Sequence, residues 1–287
     1  KTHLKHFELS GKKKISSKTI GLDIGLRIGR FFLNTEDLHY GYWKKEEGAT
    51  IQNFVKAQKN HSELILNNIP EKTQRILDVG SGSGNLALHL SKKGFQVDCV
   101  IPSAFLAEQV RQKIGEQGKI HICKFEAFSS EDQYDLILFS ESFQYVKLRQ
   151  SLEKISNMLS SGRHLLICDF FKKAVSGKSP LGGGHGWEQF QTLISKLPFK
   201  KLTNIDITNE TAPTIDLMDQ FNQEILAPLA EMSGTYMLGN YPRLTKLLQW
   251  KFKKRIEKIG RIYLSGEVNG SSFKKFKSYR LLLFQKK

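Results

Sequence analysis

The stretch from Arg75 to Lys93 constrains this chain more than any other. Ile76-Leu77-Asp78-Val79 is a short apolar run of strand type, and from Asn85 to Lys93 the apolar spacing is helical. Between them lies Gly80-Ser81-Gly82-Ser83-Gly84. Glycine at alternate positions lets the backbone turn sharply and approach a ligand closely. The helix after it presents unpaired N–H groups and a positive dipole end to whatever occupies the loop. The spacing is G-x-G-x-G, not the dinucleotide G-x-G-x-x-G, and no Lys-Ser/Thr pair completes a phosphate loop.

The loop gains its meaning from the elements on its C-terminal side. Strand and helix signals alternate there, which implies a parallel sheet with helices on both faces. The expected strands are Arg75–Val79, Gln96–Ile101, Ile120–Phe125, Leu136–Ser140, His164–Phe171, Leu202–Thr208 and Ser278–Gln285. The expected helices are Asn85–Lys93, Ser103–Ile114, Leu148–Leu159 and Trp187–Leu197, the last preceded by a glycine-rich loop, Gly177–Gly186. Residues 209–277 carry strong helical signals, best over Asp216–Met232 and Pro242–Ile259. A segment that long inside a compact sheet builds something of its own. We read it as a helical cap over the carboxyl edge, where open α/β sheets bind ligands.

The chain of 287 residues is long enough to bury about three quarters of its unfolded surface, so it needs no disulfide or metal to hold a core. Hydrophobic content of 39% and charged content of 25% exclude a disordered chain, and no apolar run approaches the ~20 residues that cross a bilayer. Cys99, Cys123 and Cys168 sit in apolar runs and match no zinc spacing, so they read as buried thiols of a cytoplasmic, reducing compartment with no metal site. The net charge of +16 is the compositional anomaly, and it admits nucleic acid, an anionic membrane surface or an anionic small substrate. From Arg243 to Lys287 there are 14 Lys or Arg against Glu257 and Glu267. Residues 1–18 read as a basic arm, and 20–69 carry helical spacing around an aromatic cluster, His39-Tyr40-Gly41-Tyr42-Trp43.

Ile76 to Gly84 resembles the first motif of the class I S-adenosylmethionine-dependent methyltransferases. Tyr134-Asp135-Leu136-Ile137 is similar to the family's fourth-strand motif, and Leu159 to Asp169 to its turn into the fifth strand. The resemblance covers residues 70–208 and the closing strand. It implies a doubly wound, seven-stranded Rossmann-like sheet whose last strand is antiparallel. The expected division is a basic arm and N-terminal helical lid over 1–69, a cofactor-binding core over 70–208, a helical substrate cap over 209–277 inserted between strands six and seven, and a closing strand over 278–287. The implied cofactor is S-adenosylmethionine, with S-adenosylhomocysteine as product.

Carried over by residue, the resemblance assigns Gly80, Gly82 and Gly84 to the methionyl part of the cofactor and Asp78 to its ammonium group. Glu126-Ala127-Phe128 falls where the family contacts adenine. Ser140 and Glu141, at the tip of the fourth strand, fall beside the methyl group and the acceptor. One departure matters: the ribose-binding acid that usually ends the second strand is replaced by Ile101, and Asp98 points to the opposite face by alternation. Lipid-type members of the family also often lack this acid and carry Glu-Ser where Glu141-Ser142 stands.

The substrate side yields candidates. An aromatic face stabilises a sulfonium through its quadrupole, so Tyr40, Tyr42 and Trp43 are candidates for a lid over the cofactor. His185, flanked by glycines after the fifth strand, is a candidate base, with His39 and Tyr40 as alternatives and Glu141 suited to quenching a carbocation. Leu244, Leu247, Leu248, Phe252, Ile256 and Ile259 make an apolar helix face whose remainder is basic, as in helices that meet anionic lipid. The leading expectation is methyl transfer (to C, O or N) on a small lipophilic and anionic metabolite, in a cytoplasmic enzyme with peripheral contact to anionic membrane. Two alternatives stand beside it. One is an RNA methyltransferase, suggested by charge but opposed by Ser140-Glu141-Ser142-Phe143, which is not the Asn/Asp-Pro-Pro-aromatic motif of base methylation. The other is a non-catalytic cofactor-binding protein, suggested by Ile101.

Overall fold

The computed structural model describes residues 17–287, so most of the basic arm expected over 1–18 lies outside the described residues. The chain begins with α1 (Ser17–Ile28), a widened turn (Gly29–Leu33), an extended segment and α2 (Phe54–Leu66). The sheet is then built from β1 (Arg75–Val79), α3 (Asn85–Lys92), β2 (Gln96–Val100), α4 (Ala104–Ile114), β3 (Ile120–His121), β4 (Leu136–Ser140), α5 (Leu148–Met158) and β5 (His164–Lys172). A two-residue β6 (His185–Gly186) precedes α6 (Trp187–Ile194) and β7 (Phe199–Asp206). Then come α7 (Thr208–Phe221), α8 (Ala227–Asn240), α9 (Pro242–Ile259), α10 (Gly270–Phe276) and β8 (Lys277–Lys286).

The strand order is β3-β2-β1-β4-β5-β8-β7, with β6 added beside β5. β1 to β5 are parallel, and β8 runs antiparallel between β5 and β7. Alternation sorts the strands onto two apolar layers. Ile76, Leu136, Leu138, Leu166 and Cys168 face the layer of α3, α4 and α7. Leu77, Ile137, Phe139, Leu165 and Ile167 face that of α5 and α6. Helix α5 shows why these segments are helical: Leu148, Ser151, Leu152 and Ile155 recur at three and four and are all buried. At the sheet's edge, β7 exposes Lys200 and Lys201, charges that discourage pairing with another strand.

Three elements differ from the sequence expectation. β3 pairs only over Ile120–His121, because the chain then peels into a tight turn at Phe125–Ala127. His185 is not in an open loop but pairs with Phe171 as β6. The helical signal expected over Asp216–Met232 is part of a run from Thr208 to Asn240 that widens to a π turn at Asn222–Leu226. That widening directly precedes Pro228, whose missing N–H would otherwise interrupt a regular helix.

Candidate functional site

The order in which the parallel strands are laid down reverses between β1 and β4, and the loop after β1 opens at this switch point. Gly82 has φ +56, and a Cβ there would meet nothing nearer than Leu38 Cδ1 at 3.9 Å, so its face lies open to a ligand. Gly84 has φ +87 and serves packing: a Cβ would lie 2.9 Å from Val110 of α4. Gly80 likewise abuts Ser142. Beside the loop, Asp78 is 1% exposed and its Oδ2 has no hydrogen-bond partner among the described residues. Burial pushes this carboxyl up to about 7. Ser140 Oγ, at the tip of β4, is buried and unpartnered in the same sense. An open glycine face flanked by an orphaned carboxylate and an orphaned hydroxyl fits a group carrying an ammonium and further polar atoms.

The segment before α2 crosses this loop as a lid, through residues that no motif singles out. Lys113 of α4 donates to the Ser83 carbonyl at 2.8 Å and to Asn85 Oδ1 at 2.6 Å, and it pairs with Glu36. Leu38 lies above Gly82. The segment then reaches β4, where the Tyr40 N–H donates to Glu141 Oε1 at 2.7 Å.

Glu141 is the most constrained group of the site. Its φ of +53 is left-handed, uncommon for a residue that is neither Gly nor Asn, and such backbone persists where the surroundings enforce it. Oε1 accepts from Tyr40 N–H and from the Tyr279 hydroxyl, each at 2.7 Å, whereas Oε2 stands outside this clamp. Burial pushes Glu141 up to about 8 against the two hydrogen bonds that oppose it, and Asp169 adds to the rise. Because the Tyr279 proton goes to Glu141, the His61 Nε2–H must donate to the Tyr279 oxygen, at 3.0 Å. His61 is buried, held neutral by desolvation, and stacked on His39 at 4.6 Å. Asp169 completes the polar group; it accepts from Gln144 N–H at 2.9 Å and from Phe170 N–H at 2.8 Å, and burial raises it to about 7. Tyr40, Phe170, Phe273 and Tyr279 pack their rings at 5.9–6.4 Å around this corner.

The structure brings Asp78, Gly80, Gly82, Ser140, Glu141 and Tyr40 to one corner of the sheet. It places the other candidates differently. Trp43, expected over the cofactor, is buried; its Nε1–H donates to Thr214 Oγ1 at 3.0 Å and its N–H to the Glu210 carbonyl at 2.8 Å. It fastens the extended segment to α7, and the Tyr42 N–H does the same to α2 through the Ala57 carbonyl at 2.8 Å. Ile101, counted among the cofactor residues, is 2% exposed within the core layer, so its side chain offers the ribose nothing polar. Asp98 cannot replace it, being bonded to Arg75, Tyr134 and the Lys119 N–H. Glu126 Oε1 accepts from the Lys147 N–H at 2.7 Å, Ala127 is exposed, and Phe128 is buried against His121. His185 Nε2 lies 2.9 Å from the Phe143 carbonyl, which can only accept, so this nitrogen carries the proton and the ring pins β6. Leu38, His61, Asp169, Thr214 and Tyr279 were not anticipated; each reaches the corner from a distant part of the chain.

A cradle of this form at the switch point of a sheet with an antiparallel penultimate strand is the architecture of the class I S-adenosylmethionine-dependent methyltransferases. Residues 50–205, more than half of the chain, match the family described as a methyltransferase domain, and the chain belongs to it. It is 25% identical over 203 residues to an uncharacterized methyltransferase of Staphylococcus carnosus, covering 66% of this chain and 96% of that one. It is 32% identical over 120 residues to a ubiquinone/menaquinone biosynthesis C-methyltransferase of Wigglesworthia glossinidia brevipalpis, covering 38% of this chain and 48% of the relative. Among solved structures, the cyclase SpnF matches with TM-score 0.66 at 17% identity over 94% of both chains. A geranyl diphosphate methyltransferase in complex with its substrate and sinefungin matches with TM-score 0.63 at 15% identity, covering 91% of this chain and 93% of that one. The chain is thus a methyltransferase whose cofactor is S-adenosylmethionine. Among the described residues no helix is long and apolar enough to cross a membrane.

Proposed function

We propose that this enzyme methylates a small, lipophilic acceptor and that Glu141 is the base that takes the acceptor's proton. The carrying observation is Glu141 itself: a half-buried carboxylate in left-handed backbone, one oxygen clamped by Tyr40 and Tyr279 and the other outside the clamp. A carboxyl raised to about 8 is matched to proton transfer near neutral pH, a contribution of about 10²–10⁴ in rate. When bound, S-adenosylmethionine supplies an electrophilic methyl group on a cationic sulfonium. Gly82 would leave room for its methionyl part, the unpartnered Asp78 Oδ2 would accept from its ammonium, and the unpartnered Ser140 Oγ would offer a further polar contact at the tip of β4. Positioning of the acceptor against that methyl carries most of the acceleration, up to ~7–11 kcal/mol. Tyr40 stands half-buried at the same corner, backed by the buried rings of Phe170 and Tyr279, an apolar wall that suits a lipophilic acceptor. His185 positions β6 and the Phe143 carbonyl rather than moving a proton. The matched relatives named for ubiquinone or geranyl diphosphate support an isoprenoid or similarly lipophilic acceptor.

The three free thiols suit a cytoplasmic setting, and the basic cap helix suits contact with an anionic membrane. A second reading, cofactor binding without turnover, is favoured by the burial of Ile101, which leaves the ribose without its usual acid. Calorimetric titration with S-adenosylhomocysteine, then transfer of labelled methyl into lipid extracts, separates the two. Binding with label in an organic-soluble product, lost in Glu141→Gln, supports methylation. Binding with no product from any extract supports the second reading.

A further inference from the structure

Helices α8 and α9 form an antiparallel pair joined at Tyr241, where Thr245 Oγ1 donates to the carbonyls of Met237 and Tyr241, both at 2.8 Å. α7 is seated on the core through Thr211, Ala212 and Ile215, but α8 buries no residue and α9 buries only Thr245. The pair therefore stands off the sheet with its side chains in solvent. Those side chains are not of solvent type. Leu229, Met232 and Tyr236 of α8 are 50–61% exposed, and Leu244, Leu247 and Ile259 of α9 are 48–55% exposed. Exposed apolar side chains in this number on two neighbouring helices mark an interaction surface.

The charges indicate its partner. α8 carries one charged residue, Glu231. α9 carries seven Lys or Arg against Glu257 alone. Among the described residues, only Lys253 of these cations has a carboxylate within reach, Glu257 at 4.0 Å. Lys251, Lys254 and Lys258 recur at three and four, so they run as a row that continues the line of Leu244 and Leu247 and flanks the exposed stripe of Leu248, Phe252 and Ile259. An apolar stripe bordered by lysines on long stems is the form of a helix lying in a lipid interface, stems along the acyl boundary and ammonium groups among phosphates. A second copy of this chain would bring one uncompensated basic face against another, which like charge opposes.

We propose that the α8–α9 pair is a docking arm for an anionic phospholipid surface, through which the enzyme meets a lipophilic acceptor where such molecules reside. The purpose rests on the lipophilic-acceptor reading, but the binding itself does not, and it is measured without turnover. The purified full chain is mixed with vesicles of phosphatidylcholine alone or of equal parts phosphatidylcholine and phosphatidylglycerol, then floated on a density gradient. Trp250, 77% exposed on α9, reports the same event by a blue shift of fluorescence that Trp250→Phe abolishes.

The expected result is partitioning onto the phosphatidylglycerol vesicles, weakened by salt as surface charge is screened. Each neutralised lysine should cost about 5-fold, so Lys251→Gln, Lys254→Gln and Lys258→Gln together should cost about 100-fold. Leu244→Ser, Leu247→Ser and Ile259→Ser together should abolish insertion and the fluorescence shift. Both triple variants should keep the wild-type melting temperature and affinity for S-adenosylhomocysteine, since these side chains touch neither core nor cradle. Failure of the wild-type chain to float with phosphatidylglycerol vesicles at low salt overturns the proposal. So does a leucine variant that turns a dimer into a monomer with flotation unchanged, which would assign the face to a second copy. Salt-sensitive RNA binding that vanishes in the lysine variant, with no flotation, overturns it as well.

Discussion

Asp78 should make the stability of the free enzyme fall as pH rises, and cofactor binding should reverse its part of the fall. In the folded chain this carboxyl ionises at about 7 because burial strips its water and Oδ2 has no partner; in the unfolded chain it returns to the ordinary 3.8. Below pH ~4 it is protonated in both states and costs nothing. Between about 4 and 7 the unfolded state releases the proton and the folded state keeps it, so ionisation favours unfolding. Above about 7 both states are ionised and the slope ends. The two states titrate roughly three pH units apart, which at 1.36 kcal/mol per unit is about 4 kcal/mol. For a chain of this size that is on the order of 8 °C in melting temperature.

Glu141 and Asp169 are raised in the same direction and add their own slopes, so the informative quantity is the difference between wild type and Asp78→Asn. Calorimetric melting from pH 5 to 8 should show a shallower decline in Asp78→Asn. Saturating S-adenosylhomocysteine, whose ammonium would pair with the carboxylate, should remove the same portion of the decline from wild type. Its affinity for wild type should weaken about tenfold for each pH unit below about 7. Parallel melting curves for the two proteins, with a pH-independent affinity, would refute the assignment of Asp78 to the cofactor's ammonium.

Gly82→Val should abolish S-adenosylhomocysteine binding in calorimetry, since its side chain would fill the open face in a left-handed backbone; retained affinity would place the cofactor elsewhere. Glu141→Gln should lower kcat about 10²–10⁴-fold with cofactor affinity within a few-fold, and the rise of kcat with pH up to about 8 expected of wild type should vanish. His185→Ala should lower the melting temperature by freeing the Phe143 carbonyl while kcat per folded molecule keeps its pH profile; loss of the rise of kcat with pH would return the base role to His185. Thr214→Val leaves Gly41 N–H and Trp43 Nε1–H without their shared acceptor, so it should cost about 2–6 kcal/mol in denaturant unfolding.

The glycine loop and its flanking strands were legible because the physics that shapes them is local. Apolar runs of five residues, separated by helices with three-four spacing, define a doubly wound sheet without knowledge of any long-range contact. β3 was read too long for the same reason: Ile122 and Cys123 continue an apolar run, and only the Cys123 N–H turning back to the His121 carbonyl ends the pairing. Both cap helices were located, and Pro242–Ile259 has the bounds expected of it; the extent of the first was missed, since Pro213 and Pro228 interrupt a pattern that the π turn restores.

The corner proposed as catalytic was legible only in part because it is assembled across the chain. Tyr279 lies 138 positions from Glu141, and His61 lies 218 positions from Tyr279; no spacing rule joins them. The aromatic cluster at 39–43 shows how a local motif can be correct in place and different in role. Its rings suggested a cover for a sulfonium, but its backbone does as much of the work. Tyr40 N–H holds Glu141, Gly41 N–H and the Trp43 ring hold Thr214 of α7, and Tyr42 N–H holds α2. Gly41 makes this possible, since a Cβ there would lie 2.6 Å from Ala57 Cβ. One short segment therefore ties lid, cap base and proposed base together, so that a displacement of α7 by an acceptor or a membrane would be felt at Glu141 through three residues.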